Sequence, residues 1–578
     1  MAAVGSNGDR ARRRIALLMD AIEDDYQAGI VRGAAQAAQH ADAQLVCLAG
    51  GVVGEASKDV RSQRNFVFDL LDPRDFDGVV VLGGSLASQV GQQAFDGWMK
   101  RFEGLPAVCI GLELPSCHSL VVDGAEGMRQ TLRHLIQVHN HRRIAFVRGP
   151  VASFDAEERY QAYREVLAEQ GISEDARLVL QGTWLRDSGE LAVRELFDER
   201  AMKVEAVSAI VSANDYMALG VMDALRERGI AVPGDIAVTG FDDVDAGKCA
   251  VPPLTTVQQP TEAMGREAVR RVVALMARKA EPHLSLLATT IVGRRSCGCA
   301  MGEVFMAPAA PARPGRALEL AVLERRALIF AELARSARGS LVGAGSRWEE
   351  RLLSALLADV RDPERGTFLA TLDQMMAGLQ RAGAELGRVQ PVLGTLRRSL
   401  LDCASGDQNA IERIEDVLDS ARELIAEWLV RGETLTRIEL VDFLRGISQV
   451  SGSLLSKPGG YAARLAFEER LKGLGLSAFS LGLFGEPGKT TPTCQCLAGY
   501  GPSGRAQPET HFASSAFGAA GVFEPERGAL LVQPLVYEGE PIGLLTLALG
   551  ERHGSVYEQL RETFGVGLRG FRLAALAG

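Results

Sequence analysis

From Arg14 to about Ala300, short apolar runs alternate with stretches of helical periodicity. The runs are RIALLM (14–19), AQLVCLAG (43–50), GVVVLGG (78–84), AVCIGL (107–112), RIAFVRG (143–149), ARLVLQG (176–182), AVSAIVSA (206–213) and DIAVTGF (235–241). Continuous apolar runs without polar alternation suit strands buried on both faces, as in a parallel sheet covered by helices. Between them, YQAGIVRGAAQAAQHA, RYQAYREVLAEQG and DYMALGVMDALRERG place apolar residues at helical spacing and end in Gly or a turn. The pattern predicts right-handed βαβ units. It occurs twice, over about 15–111 and 143–241, separated by LPSCHSLVVDGAEG. Two doubly wound parallel sheets side by side bind ligands in a cleft at the carboxyl ends of their strands.

The pattern then changes. After IVGRRS (291–296) and a Cys297-Gly298-Cys299 step, the Pro/Ala-rich MGEVFMAPAAPARPG reads as a linker over 300–314. Residues 315–445 are helical throughout. Within them Ile411, Ile414, Leu418, Ala421, Ile425 and Trp428 step by threes and fours, a heptad seam that suits either a short coiled coil or a helical bundle, with Gly432 interrupting it. Residues 446–578 combine a helix, paired strands around YEGEPIG and a closing helix, the pattern of a small α+β domain with a hairpin.

Composition adds limits. The 578 residues carry 47% hydrophobic and 24% charged residues, as soluble globular chains do, and a net charge of -10 supplies no general attraction to nucleic-acid phosphates. No apolar stretch reaches membrane-spanning length, and no secretory signal precedes RIALLM, so a cytoplasmic protein without membrane contact is expected. The nine cysteines are then reduced thiols. A second Cys-x-Cys, Cys494 and Cys496, allows a four-thiolate zinc site with Cys297 and Cys299. The spacing and the separate predicted domains argue against it, so no metal and no cofactor is expected.

Catalytic strings are missing as well. LFGEPGKTT (483–491) lacks the first Gly of a phosphate loop and reads as a hairpin turn. No His occurs between His283 and His511 to serve as a kinase phosphoacceptor, and no G-x-S-x-G elbow or H-E-x-x-H string is present. The chain is expected not to be an enzyme.

Five strings carry a resemblance: HRRIAFVRGP (141–150), ERYQAY (158–163), QGTWLRDSG (181–189), SANDYMALGVMDALRERGIAVPGDIAVTGFDDVD (212–245) and PPLTTVQQP (252–260). In order and separation they resemble the ligand-sensing domain of the lactose/galactose repressor (LacI/GalR) family, a two-lobed α/β fold of the periplasmic-binding-protein type, over 14–299. The resemblance implies ligand contacts from Tyr26, Gln27, Arg159, Trp184, Asn214, Asp242 and Gln259. Ser153, Phe154 and Asp155 stand where members vary with their ligand. The residue types suit a polar ligand: a five-donor fork at Arg159, a stacking face at Trp184, a hydroxyl acceptor at Asp242. Plainer roles compete, since Asn214 also suits a helix N-cap and Trp184 ordinary packing.

Family repressors carry a helix-turn-helix ahead of this domain, whereas only MAAVGSNGDRARR precedes RIALLM, so direct DNA binding is not expected. RRSCGC resembles the junction at which such sensors are fused to signalling modules, and 446–578 resembles a GAF-type domain. The expectation is a homodimeric regulator in which a sugar or nucleoside-like metabolite closes the lobes and the helices carry the change to a protein partner. The alternatives are a DNA-binding regulator of the LacI type, a solute receptor for sugar transport, and a scaffold whose output domain has been lost.

Overall fold

The eight apolar runs become strands in a computed structural model, which describes residues 13–54, 62–299, 318–455 and 468–577 apart from 338–340, 342, 405, 487, 503, 507–509, 518–527 and 551–553. The expected linker at 300–314 lies outside the described residues. Residues up to 302 together with those from 446 onward form one compact unit, and 303–445 form another.

In the first lobe, β1 (Arg13–Met19), β2 (Ala43–Ala49), β3 (Gly78–Leu82), β4 (Ala107–Ile110) and β5 (His118–Val122) lie in the order β2-β1-β3-β4-β5. All neighbours are parallel. Ile15 to Met19 are fully buried, as a run covered by helices on both faces must be. β5 falls within the expected separator LPSCHSLVVDGAEG. A late strand, β11 (Leu284–Leu287), returns to pair with β5. The order reverses between β1 and β3, and the helix Asp25–His40 starts beside that switch point.

Glycines set how closely that helix meets Thr261–Met276. A Cβ on Gly265 would lie 1.9 Å from the Ile30 carbonyl oxygen, and one on Gly33 would lie 1.9 Å from that of Glu262. Both obstacles are backbone, so neither can swing aside. Gly265→Ala is expected to lower the stability of this unit by about 2 kcal/mol or more, read as a shifted urea midpoint.

The second lobe is a parallel sheet in the order β7-β6-β8-β9, from β6 (Ile144–Arg148), β7 (Val179–Gln181), β8 (Ala209–Ser212) and β9 (Ala237–Thr239). Between the lobes, β10 (Thr256–Gln258) and β12 (Thr290–Val292) form an antiparallel ribbon.

The C-terminal segment departs from the expected separate domain at 446–578. Its antiparallel strands are β13 (Phe479–Phe484), β14 (Thr493–Gly501), β15 (Gly504–Arg505), β16 (His511–Ala513), β17 (Ala529–Tyr537) and β18 (Glu540–Ala548). The hairpin expected at YEGEPIG is present: Glu538 and Gly539, with φ of 48° and 86°, join β17 to β18. β17 also pairs in parallel with β2, extending the first-lobe sheet to twelve strands. A buried core follows the join, with Val46, Leu48, Phe68 and Phe95 of the first lobe clustering with Phe484, Phe517, Val532 and Leu544. Arg64 pairs with Glu558 at 2.9 Å across the same boundary. An apolar β2 edge has to be covered, and here β17 covers it, a long-range pairing that periodicity alone does not reveal. The string at 483–491 is the β13–β14 turn, where Lys489 donates to Glu486 at 3.1 Å.

The second unit holds the helices Leu318–Ser336, Trp348–Arg361, Thr367–Arg381 and Val389–Cys403 and the first part of Gln408–Leu455. The heptad seam packs inside this bundle: Ile414, Leu418, Ala421 and Ile425 are buried in its core with Ile411 and Trp428 against it. This settles the two open readings of the seam in favour of a bundle. The last helix runs through Gly432 to Leu455, so the expected boundary at 445 falls inside a helix.

Candidate functional site

The switch point of the first lobe supplies one wall of a cleft. Asp20 follows β1, and its carboxylate accepts from Gln27 Nε2 at 3.1 Å and from Ser85 Oγ at 2.6 Å. Gln27 is buried, and its Oε1 has no hydrogen-bond partner. Tyr26, one residue earlier, is half-buried. Burial, then the charges of Asp155 and Asp242, raise its phenol well above the ordinary range, while Arg159 opposes them and Asp20 adds to them. Residues of both lobes therefore act on one hydroxyl. An open space of about 250 Å3 is lined by Gly84, Ser88 and Gln92 from the first lobe and Ser153, Phe154 and Asp155 from the second.

The second-lobe wall is built at the ends of β6, β7, β8 and β9. Ser153 caps the helix Phe154–Glu169, accepting from the Ala156 amide at 3.4 Å. That helix carries Asp155, whose carboxyl is raised by burial against the pull of Arg159. Arg159 is 4% exposed and donates from Nη1 to the Ala213 carbonyl at 2.6 Å. Its guanidinium lies 3.7 Å from the Phe241 ring centroid and 5.5 Å from that of Trp184, and its Nε has no hydrogen-bond partner.

Asn214 caps the helix that follows it. Its Oδ1 accepts from the Met217 amide at 3.0 Å, capping the helix Asp215–Glu227, and its Nδ2 donates to the Trp184 carbonyl at 2.9 Å. It thereby fixes the backbone of Trp184, held at a φ of 72°. Gln259 donates to Asp242 at 2.6 Å from the end of β10. Asp242 and Asp243 also have positive φ, 121° and 63°. Three side-chain-bearing residues in strained backbone at one cleft mark a site whose geometry the surrounding fold imposes.

Asp215, which sequence reading passed over, supplies much of that constraint. It is fully buried, accepting from Thr256 Oγ1 at 2.6 Å and from the Val244 amide at 3.0 Å. Burial, aided by Asp242, raises its carboxyl to about 7. Burial also raises Asp242 to about 6, opposed by Arg159 and by the hydrogen bond from Gln259. Asp20 and Ser85 were also passed over, although Asp20 directly follows the first apolar run.

These shifts have a sign. Both carboxyls titrate higher folded than unfolded, so between about pH 4 and their folded values the native chain holds protons that the unfolded chain has released. Their contribution to stability is present at low pH and is lost as pH rises through about 6 for Asp242 and about 7 for Asp215. Thermal melts from about pH 5 to 8 are expected to show the midpoint of this unit falling, and Asp215→Asn is expected to flatten that slope.

A different convergence bears on the expectation of no metal. His134, His139, Cys297 and Cys299 bring their donor atoms within 4.8 Å of one another, the one such group among the described residues. The second Cys-x-Cys takes no part: Cys494 and Cys496 are buried in β14, with Cys494 Sγ 3.3 Å from Ser514 Oγ. The histidines were missed because their partners stand some 160 residues away in the chain.

Residues 132–297 match the family described as a periplasmic binding protein-like domain. Over 249 residues the chain is 36% identical to the HTH-type transcriptional regulator CelR of Thermobifida fusca, covering 41% of this chain and 72% of CelR. Over 285 residues it is 30% identical to the HTH-type transcriptional regulator GalR of Escherichia coli (strain K12), covering 49% of this chain and 78% of GalR. The chain belongs to the LacI/GalR family. Among solved structures, a transcriptional regulator CelR–cellobiose complex is similar at 32% identity and a TM-score of 0.43, covering 50% of this chain and 85% of that one. The LacI/GalR likeness accounts for the two lobes, and these relatives are transcriptional regulators. Among the described residues, no helix is long and apolar enough to cross a membrane.

Proposed function

We propose that this chain is a cytoplasmic, non-enzymic sensor of a neutral, hydroxyl-rich metabolite, a sugar or a nucleoside-like compound, and that it acts in transcriptional or signalling control as a homodimer with a protein partner. One observation carries the reading: Tyr26, Asp155, Arg159 and Asp242, from both lobes, share one electrostatic environment. Three carboxylates, Asp20, Asp155 and Asp242, and one guanidinium, that of Arg159, act on Tyr26 there. Such a balance favours hydroxyl donors over phosphates or carboxylates, which would meet like charge.

Tyr26 and Gln27 would contact the ligand from one lobe, and Asp155, Arg159, Trp184 and Asp242 from the other. Ser153, Asn214 and Gln259 would hold them in place. Closure over a ligand shifts a two-state equilibrium by as much as the ligand's preference for the closed state, about 2.7 kcal/mol for a hundredfold preference. A physical route to the C-terminal segment exists. The start of the helix Gly554–Ala577 abuts the loop before Tyr26, where a Cβ on Gly554 would lie 1.7 Å from the Ile22 carbonyl oxygen. We read the C-terminal segment as a GAF-type module and the bundle as its connector.

Thermal unfolding against neutral sugars, nucleosides and sugar phosphates tests the reading. One neutral compound at a hundred times its Kd should add about 2.7 kcal/mol to the first unit. No shift from any of them at saturating concentrations would leave a scaffold instead. A second reading, direct DNA binding, is favoured by the HTH-type relatives and predicts a steeply salt-dependent shift of promoter DNA.

A further inference from the structure

We infer that His134, His139, Cys297 and Cys299 form a four-coordinate site for a single zinc ion. His134 Nε2 and His139 Nε2 are 3.2 Å apart, and Cys297 Sγ is 3.5 Å from His134 Nε2. Cys299 Sγ is 3.3 Å from His134 Nε2 and 3.4 Å from His139 Nε2. A tetrahedron with zinc–sulfur bonds of about 2.3 Å and zinc–nitrogen bonds of about 2.05 Å has nitrogen–nitrogen edges of about 3.3 Å and sulfur–nitrogen edges of about 3.5 Å. These four of the six separations match those edges to within about 0.2 Å, and all four donor atoms lie within 4.8 Å of one another. Hydrogen bonds account for the cluster less well. Two ring nitrogens point at each other and at the same thiol, and a shared proton can bridge only one pair at a time. One cation meets all four lone pairs at once.

The backbone on both sides is shaped for this convergence. The helix Gly124–Gln137 presents His134 in its last turn, and the chain turns back past His139 at Asn140, with a φ of 58°. The 3-10 turn Arg295–Cys297 buries Cys297, and Gly298 then reverses the chain at a φ of 101°. A Cβ on Gly298 would lie 3.4 Å from His139 Nδ1. Glycine therefore lets two cysteines one residue apart reach one point, which the usual spacing of two to four residues achieves without strain. Thr255 Oγ1, 3.0 Å from Cys297 Sγ, adds a hydroxyl of the kind that steadies a thiolate ligand.

Four protein ligands leave no open position, so the ion is structural. It fastens the 3-10 turn Arg295–Cys297 to the helix Gly124–Gln137 of the second-lobe core, which Cys297 also joins.

Metal analysis of the full chain, purified without chelators or added metal, should find about one zinc per chain. The Cys297→Ser/Cys299→Ser double variant should hold at least tenfold less, while Cys249→Ser, at an exposed cysteine, should keep it. His139→Ala gives a second ligand removal should the double variant fail to fold. Wild-type protein reloaded with cobalt should show the strong visible bands of tetrahedral cobalt and a thiolate charge-transfer band. The proposal is overturned by protein that takes up neither zinc nor cobalt after reduction, by a weak octahedral cobalt spectrum without thiolate bands, or by metal content unchanged in the double variant.

Discussion

Arg159→Ala is expected to abolish ligand-induced stabilisation and to lower the stability of the unliganded unit by about 2–3 kcal/mol. The arginine is buried, donates to the Ala213 carbonyl at 2.6 Å and lies 3.7 Å from the Phe241 ring centroid. Losing a charged hydrogen bond costs about 1.5–3 kcal/mol, and a desolvated cation–π contact adds of order 1 kcal/mol. The second effect is electrostatic. Arg159 draws the raised carboxyls of Asp155 and Asp242 downward. Without it both hold their protons to higher pH, and a protonated carboxyl is a poorer acceptor for a ligand hydroxyl. Affinity at neutral pH should fall by about a hundredfold, as the loss of a buried charged partner does elsewhere. Arg159→Lys keeps the charge without the planar fork and should recover only part of both effects. Urea titrations with and without the ligand separate the two terms.

Val532→Asp is expected to separate the C-terminal sheet from the first lobe. Val532 is fully buried, stands opposite Leu48 across the parallel pairing and opposite Thr546 in β18, and belongs to the core common to both parts. A carboxylate there has no partner, and burying it costs several kcal/mol, more than the join can absorb. Hydrogen exchange should rise along Ala43–Ala49, where β2 loses its neighbour, and the bared edge should promote association. Uniform protection of β2 in the variant would mean that the first lobe does not depend on β17.

These two residues also show what the sequence made legible. Arg159 stands in a string whose order with the others identified the family, and the two lobes followed from apolar runs whose period is local. Val532 was visible only as part of a hairpin. Its pairing with a strand nearly 500 residues earlier is a non-local event that neither strand's pattern encodes. Asn214 was legible as an implied ligand contact and as a helix-cap candidate, but its bond to the Trp184 carbonyl, 30 residues away, was not. Asp215 carries no signal of its own in the string, because its burial depends on the crossover that brings Thr256 alongside. His134 and Cys297 were unrelated letters for the same reason. Local periodicity and motif order survive in a one-dimensional reading, whereas partners set by chain crossings do not.

Calorimetric titration of the full chain with the neutral compound that stabilises it, alongside the phosphate ester of that compound, tests the cleft most directly. Three carboxylates and one guanidinium acting on Tyr26 predict saturable binding of the neutral form, at least tenfold weaker binding of the ester, and affinity that strengthens as pH rises through about 6 and Asp242 ionises. Tighter binding of the ester, or neutral-compound binding unchanged by Arg159→Ala, would contradict a cleft built for hydroxyl donors.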